Sequence, residues 1–422
     1  MPTKLTIQEP FLNAVYQRDN AGFAYIPVSG TVTPGIDNVT ASFSPVNVGA
    51  TQTLDYAIPF VQTLPVDKDG HFAGTVRLPG GWYSLTVSAG ETIILRNRVG
   101  AGEVFVLFGH SFMQGGHDQS HQLPANDERV ITLLDNLTSR NYQFGQLTTK
   151  VGPFHDHPDA WGQLGDQLVK RLGVPVLFYG CAYGGSNILQ AYQLLTGQTR
   201  TSLPPGTTDP ASRQPLEPLE DVFINYIPKT GVRAILVEHG YNDRGTSTAA
   251  FLEQFRYVFD HIRSTYQKPE LALVVVQEEL QPVPHCLYDI PTAQGLQQLI
   301  GSYPHTWKGP DFNEPFWPDY HTSSGQDHLF GAAIDHFASD WSNSLSTVFF
   351  QNSTPYLGLG TVDVFPLVLY NAPDTRLAAI DWVLILLAGL VLVGLFVRQS
   401  KKLMWAFLLL GLIALGRVTG KV

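Results

Sequence analysis

The sequence is poor in charge and almost devoid of cysteine. Asp, Glu, Lys and Arg make up only 15% of its 422 residues, whereas 44% are hydrophobic. That balance excludes a mostly disordered chain, which stays open because it has little apolar surface to bury. The mixture, with 39 glycines and 29 prolines, also excludes a coiled coil and a collagen. The two cysteines, Cys181 and Cys286, lack a CxxC spacing, which rules out a thiolate zinc site and a disulfide scaffold. Buried free thiols are the expectation, with one bridge as the alternative. Basic residues are also scarce, 26 against 36 acidic for a net charge of -10. Nucleic acid is therefore not expected as a partner, because binding phosphates requires a basic face. The opening stretch, Met1 to Pro10, has no apolar core, so no secretory signal peptide is visible.

What is present is unevenly placed. Up to Arg376 the chain has 21 basic and 35 acidic residues; beyond it there are five basic and one acidic. Leu377–Val397 contains a single charge, Asp381, and at ~1.5 Å per residue a helix of that length reaches about 30 Å, the thickness of a bilayer core. A second apolar run, 403–417, follows the basic turn Arg398-Gln-Ser-Lys-Lys402. The two read as a transmembrane helical hairpin over 377–418, with the lipid bilayer as partner. Its positive turn argues for a cytoplasmic loop and an extracytoplasmic body. The absence of a signal peptide argues the other way.

Length predicts two or three domains at roughly 150 residues each. Residues 1–98 read as an all-β, Ig-like sandwich: short runs rich in Val, Thr, Tyr and Phe (23–28, 39–43, 72–78, 82–87, 92–95) alternate with turn signals such as Pro34-Gly35 and Asp69-Gly70. From 99 to 345 the pattern becomes α/β. Apolar strands at 104–108, 174–179, 234–237 and 271–276 alternate with helices around 160–172 and 249–265, which predicts a parallel sheet covered on both faces. Residues 346–376 read as a connector.

Ligands of open parallel sheets bind at the carboxyl ends of the strands, and four motifs fall there or before the last helix. Gly109-His110-Ser111 places a serine at a sheet edge. Tyr183-Gly184-Gly185 can expose backbone N–H groups to an oxygen. His239-Gly240-Tyr241-Asn242-Asp243 supplies an amide, and Asp319-Tyr320-His321 supplies a base with a carboxylate to orient it. Each motif alone is equally an ordinary turn.

Their order, Ser, Gly, Asn, then Asp with His, resembles the SGNH (GDSL-like) hydrolase superfamily. Val99-Gly-Ala-Gly-Glu-Val-Phe-Val-Leu-Phe-Gly109-His-Ser111 is similar to the "GEVF…GQSNM" segment of its sialate O-acetylesterase and carbohydrate acetylesterase branch. The segments Trp161-Gly-Gln-Leu-Gly-Asp-Gln-Leu and Gly231 to Gly240 fit the same branch, and the resemblance spans roughly 98–343. It implies a flavodoxin-like three-layer α/β/α domain and a serine ester hydrolase acting on acylated carbohydrate through an acyl-enzyme, with no metal or cofactor. It also implies roles for individual residues. Ser111 would be the nucleophile, His321 the base and Asp319 its orienter. The Ser111 and Gly185 N–H groups and the Asn242 side chain would form the oxyanion hole. The alternates are Gly184 for Gly185, and His328 with Asp327 for the base and its carboxylate; Asp311 is a further orienter.

Two departures from the branch stand beside the nucleophile, His110 and Phe112 where it carries Gln and Asn. They keep open a non-catalytic glycan-binding module, and the tail keeps open a membrane-associated acyltransferase. Trp161, Tyr183, Tyr241, Phe316 and Trp317 are candidates for sugar contact, each equally able to belong to the core. His117, His121, His155 and His157 are read as loop histidines rather than zinc ligands.

Overall fold

A computed structural model describes residues 4–46, 59–116, 121–137, 139–280, 289–314, 317 and 328–358. The N-terminal part is a β-sandwich. One sheet has the antiparallel order β1 (Leu5–Glu9), β3 (Phe23–Val32), β6 (His71–Pro79). The other runs β5 (Phe60–Pro65), β4 (Asn38–Pro45), β7 (Gly81–Ala89) and the first half of β8 (Thr92–Gly109). Strand alternation turns Val39, Ala41 and Phe43 inward, where they share a core with Ile26, Val28, Phe72, Leu85 and Val87.

The sequence pattern suggests two strands, 92–95 and 104–108, divided at a domain boundary after 98. The structure joins them in one strand of 18 residues. β8 pairs with β7 as far as Ala101. From Glu103 it pairs in parallel with β11 (Val176–Gly180), and from Phe105 also with β12 (Ala234–Glu238). The glycines that look like a break serve close packing instead: a Cβ on Gly100 would come within 2.6 Å of the Trp82 ring, and one on Gly102 would strike the Pro175 carbonyl. β2 (Val15–Gln17) pairs with β8 at this crossing.

The sheet beyond the crossing has the order β10-β9-β11-β8-β12-β13-β14. Here β9 is Val130–Leu133, β10 is Phe144–Gln146, β13 is Ala272–Gln277 and β14 is Thr306–Asp311. β10 is antiparallel and the others are parallel. Without the β9–β10 edge this is the flavodoxin-like order 2-1-3-4-5, whose switch point lies between β8 and β12.

Alternate residues of β8 face opposite helical layers. Val104, Val106 and Phe108 share a core with Phe251, Phe255, Val258 and Leu296, from α6 (Thr248–Thr265) and α7 (Ile290–Ser302). Phe105 and Leu107 pack with Trp161, Leu164 and Leu168 of α2 (Trp161–Leu172) and with Phe337 and Trp341 of α8 (Ala332–Ser344). The chain thus has the expected mixed α/β architecture, three layers deep, behind a sandwich.

One expectation needs adjustment at the C-terminal end. The first part of the 346–376 connector is folded: Ser346 caps a helix at Thr347–Asn352, and Tyr356 bridges back to Val232. The segments 377–397 and 403–417, expected to span a membrane, lie outside the described residues. Among the described residues no helix is long and apolar enough to cross a membrane.

Candidate active site

β8 ends at Gly109, whose φ of +147° and close approach to the Glu238 carbonyl leave no room for a side chain. The short helix α1 (Ser111–Gln114) starts immediately afterwards and stops at Gly115, at φ +103°. This strand–turn–helix unit lifts Ser111 onto the carboxyl edge of the central strand, at the switch point. His328 lies across from it, with Nε2 2.7 Å from Ser111 Oγ and its ring 5.5 Å from that of Phe112.

The histidine that meets the serine is therefore the alternate, His328. The first choice, His321, lies with Asp319 and Asp327 outside the described residues. The sequence pattern expects a helix entry directly after His321; the first described helix beyond that point starts at Ala332, after His328. Asp311, the further candidate for orienting the base, accepts instead from Lys308 Nζ at 2.6 Å and from the backbone and side chain of Asn313.

The proposed oxyanion donors separate in a similar way. As the first residue of α1, Ser111 has an N–H with no carbonyl in its own helix to bond. Gly185, the first choice for the second donor, is exposed, and a Cβ on it would run into Pro205. Gly184 is the glycine beside the nucleophile: a Cβ there would lie 3.8 Å from Ser111 Cβ. Its N–H donates to Gln114 Oε1 at 2.6 Å. Asn242 donates one amide proton from Nδ2 to the Ser186 carbonyl at 3.0 Å and has a second proton.

The loops that carry these groups are tied down by buried polar contacts absent from the sequence reading. Asp243 accepts from Ile188 N at 2.8 Å and Gly240 N at 3.1 Å. It thereby joins the β12 turn to α3 (Ile188–Thr196), which begins with a capping box of Asn187 and Gln190. Burial pushes the Asp243 carboxyl up to about 7 despite those donors. His155 Nε2 accepts the Ala182 N–H at 2.9 Å, which puts the ring proton on Nδ1. Burial depresses this histidine to about 3. Gly116 is the other missed residue, since a Cβ on it would sit 2.9 Å from Ser111 Cβ and 3.0 Å from His328 Nε2. No motif spacing marks it, because its constraint comes from residues 5 and 212 positions away.

Beside His110 lies a buried, acidic cluster. Glu238 at the end of β12 and Glu278 just beyond β13 are fully or almost fully buried. Burial, reinforced by neighbouring carboxylates, raises both well above the usual carboxylate range. His110, Glu238 and Glu278 are close enough together to be weighed as metal ligands, as are Glu314, His336 and Asp340. In the first set His110 Nδ1 accepts the Phe112 N–H at 3.4 Å. With Nδ1 accepting, a ring proton sits on Nε2, 4.0 Å from Glu238 Oε1, which suits a donor facing a carboxyl better than a metal ligand. Of the loop histidines, His121 pairs with Asp335 at 3.0 Å, His155 is structural and His117 lies outside the described residues.

Of their two open readings, sugar contact and core, Trp161 and Trp317 take the second, with no exposed surface. Phe316 is outside the described residues. Tyr183 and Tyr241 remain partly exposed on the loops that flank Ser111.

No family model and no curated protein matches the chain. Solved structures do. A carbohydrate acetylesterase from Xanthomonas citri is similar at 18% identity and a TM-score of 0.48, covering 81% of this chain and 74% of its own. A lipase/acylhydrolase from Enterococcus faecalis is similar at 11% identity and a TM-score of 0.31 (58% and 95%). An active-site mutant of a family two carbohydrate esterase from Clostridium thermocellum is similar at 10% identity and a TM-score of 0.32 (82% and 97%). These are likenesses at low identity, with TM-scores below 0.5.

Proposed function

We propose that the chain is a serine ester hydrolase that removes acetyl or other short acyl groups from carbohydrate. The observation that carries this reading is the 2.7 Å approach of His328 Nε2 to Ser111 Oγ at the carboxyl edge of the central strand. In the proposed reaction His328 takes the serine proton as Oγ attacks the acyl carbon. The N–H groups of Ser111 and Gly184 and the Asn242 amide receive the negative charge on the acyl oxygen, each donor lowering the barrier by about 3 kcal/mol. The tetrahedral species collapses, and His328 returns its proton to the departing sugar oxygen. Water, deprotonated by His328, then attacks the acyl-enzyme and frees Ser111 with release of the acid.

A neutral acyl ester suits the site better than a polyanion, because residues 1–376 have 35 acidic and 21 basic side chains. The partly exposed Tyr183 and Tyr241 offer faces for a sugar ring, in keeping with the sialate O-acetylesterase and carbohydrate acetylesterase branch. The reading also anchors the enzyme to a membrane through 377–397 and 403–417, with its body extracytoplasmic. Release of the full chain from membranes by alkaline carbonate would overturn the anchor.

The test of the activity is hydrolysis of p-nitrophenyl acetate and of an O-acetylated glycan. Wild type is expected to cleave both, and Ser111→Ala neither. Equal rates in the two proteins would defeat the proposal. Glycan binding that survives Ser111→Ala, without labelling of wild type by a fluorophosphonate, would identify a binding module instead. Transfer to an added acceptor in excess of hydrolysis would identify an acyltransferase.

A further inference from the structure

We infer that Gln114 is a gate on the oxyanion site, its side-chain carbonyl occupying the Gly184 N–H that an ester's acyl oxygen must reach. The inference rests on the ester-hydrolase reading. Ser111 and Gln114 are three residues apart on α1 and so project from the same face. Both approach Gly184: a Cβ built on it would lie 2.7 Å from Gln114 Oε1 and 3.8 Å from Ser111 Cβ. The N–H···Oε1 distance of 2.6 Å is short for this kind of bond.

The chemistry of the occupant matters. Gln114 Oε1 is a carbonyl oxygen on a trigonal carbon, the group an ester presents in its place. The amide has one hydrogen, so it cannot bond both oxygens at full strength. The donor is also aimed without help from Gln114. Tyr183 N and Ser186 Oγ both bond the Gly109 carbonyl, at 2.9 and 3.2 Å, and this clamps the loop on either side of Gly184. Removing the glutamine acceptor therefore leaves the N–H pointing at the site. Gly115 ends α1 one residue later, and the Gln114 side chain is only partly buried, so it has room to swing aside when substrate enters.

The experiment compares wild type, Gln114→Ala, Gln114→Met and Gln114→Glu on p-nitrophenyl acetate, with thermal unfolding recorded for each. Freeing the donor from one neutral hydrogen bond is expected to raise kcat/KM roughly two- to tenfold in both the Ala and Met variants. Met keeps the side-chain length without the acceptor and guards against a packing defect in Ala. Gln114→Glu, whose carboxylate accepts more strongly, is expected to lower kcat/KM below wild type. Loss of a side chain that merely supports the loop would lower the rate and the unfolding temperature together. Folded Ala and Met variants with equal or reduced kcat/KM would overturn the gate. Ser111→Ala is run alongside. If it retains wild-type hydrolysis, the esterase reading fails and the gate falls with it; if it is inactive, the Gln114 variants alone decide.

Discussion

Arg233 grips Glu103 through two contacts, Nε to Oε2 at 2.5 Å and Nη2 to Oε1 at 3.3 Å, with both side chains almost wholly buried. Glu103 also accepts from Arg18 Nε at 2.7 Å and Gln17 Nε2 at 2.8 Å. Arg233 Nη1 reaches Asn20 Oδ1 at 2.8 Å and Ser353 Oγ at 3.2 Å. One ion pair thus binds the N-terminal segment, the crossing in β8, the residue before β12 and the C-terminal end of the described chain. Arg233→Met should cost about 3–5 kcal/mol in chemical denaturation, because it leaves a buried carboxylate without its main partner. A cost below about 1 kcal/mol would mean that Arg18 alone compensates.

The two candidate bases make opposite predictions. His328→Ala should lower kcat for p-nitrophenyl acetate by about 10²–10⁴-fold, the usual worth of a general base, whereas His321→Ala should stay within a few-fold of wild type. The reverse pattern would return the role to His321.

Gly116→Ala separates activity from stability. Its new methyl would come within 3.0 Å of both Ser111 Cβ and His328 Nε2, closer than carbon atoms pack. The pair must shift apart, and displacements of this size cost on the order of 100-fold in rate. The expected outcome is a fall in kcat of at least tenfold with a small change in unfolding temperature; unchanged kcat would show that the pair tolerates the shift.

His155 makes the fold acid-sensitive. Burial lowers its folded pKa from 6.5 to about 3, so between these values the unfolded chain binds the proton and the native one does not. Stability then rises with pH across this window and is lost as pH falls through it, with a slope of up to about 1.4 kcal/mol per pH unit. His155→Gln keeps an acceptor for the Ala182 N–H and removes the titrating ring, so denaturation curves between pH 4 and 6.5 should flatten by that amount. Parallel wild-type and variant curves would remove His155 from the acid response.

Much of this architecture is legible in the sequence because it is local. Apolar runs of four to six residues predict β11, β12 and β13, which are buried throughout. Helical periodicity predicts α2 and α6 to within a residue at each end. Short elements with mixed patterns, such as β2, β10 and β14, escape, since their pairing partners rather than their composition make them strands. The glycines at 100 and 102 mislead for the same reason: a glycine needed for close packing looks like one needed for a turn.

By itself the sequence determined the order of the layers, the serine at the end of the first parallel strand and the acidic balance of the body, all properties of near neighbours along the chain. Which histidine meets Ser111, which of two adjacent glycines stands beside it and whether Trp161 and Trp317 face substrate or core were decided only in three dimensions. Those choices depend on residues up to 217 positions apart, brought to one sheet edge by the crossovers, and a one-dimensional spacing holds no record of that distance.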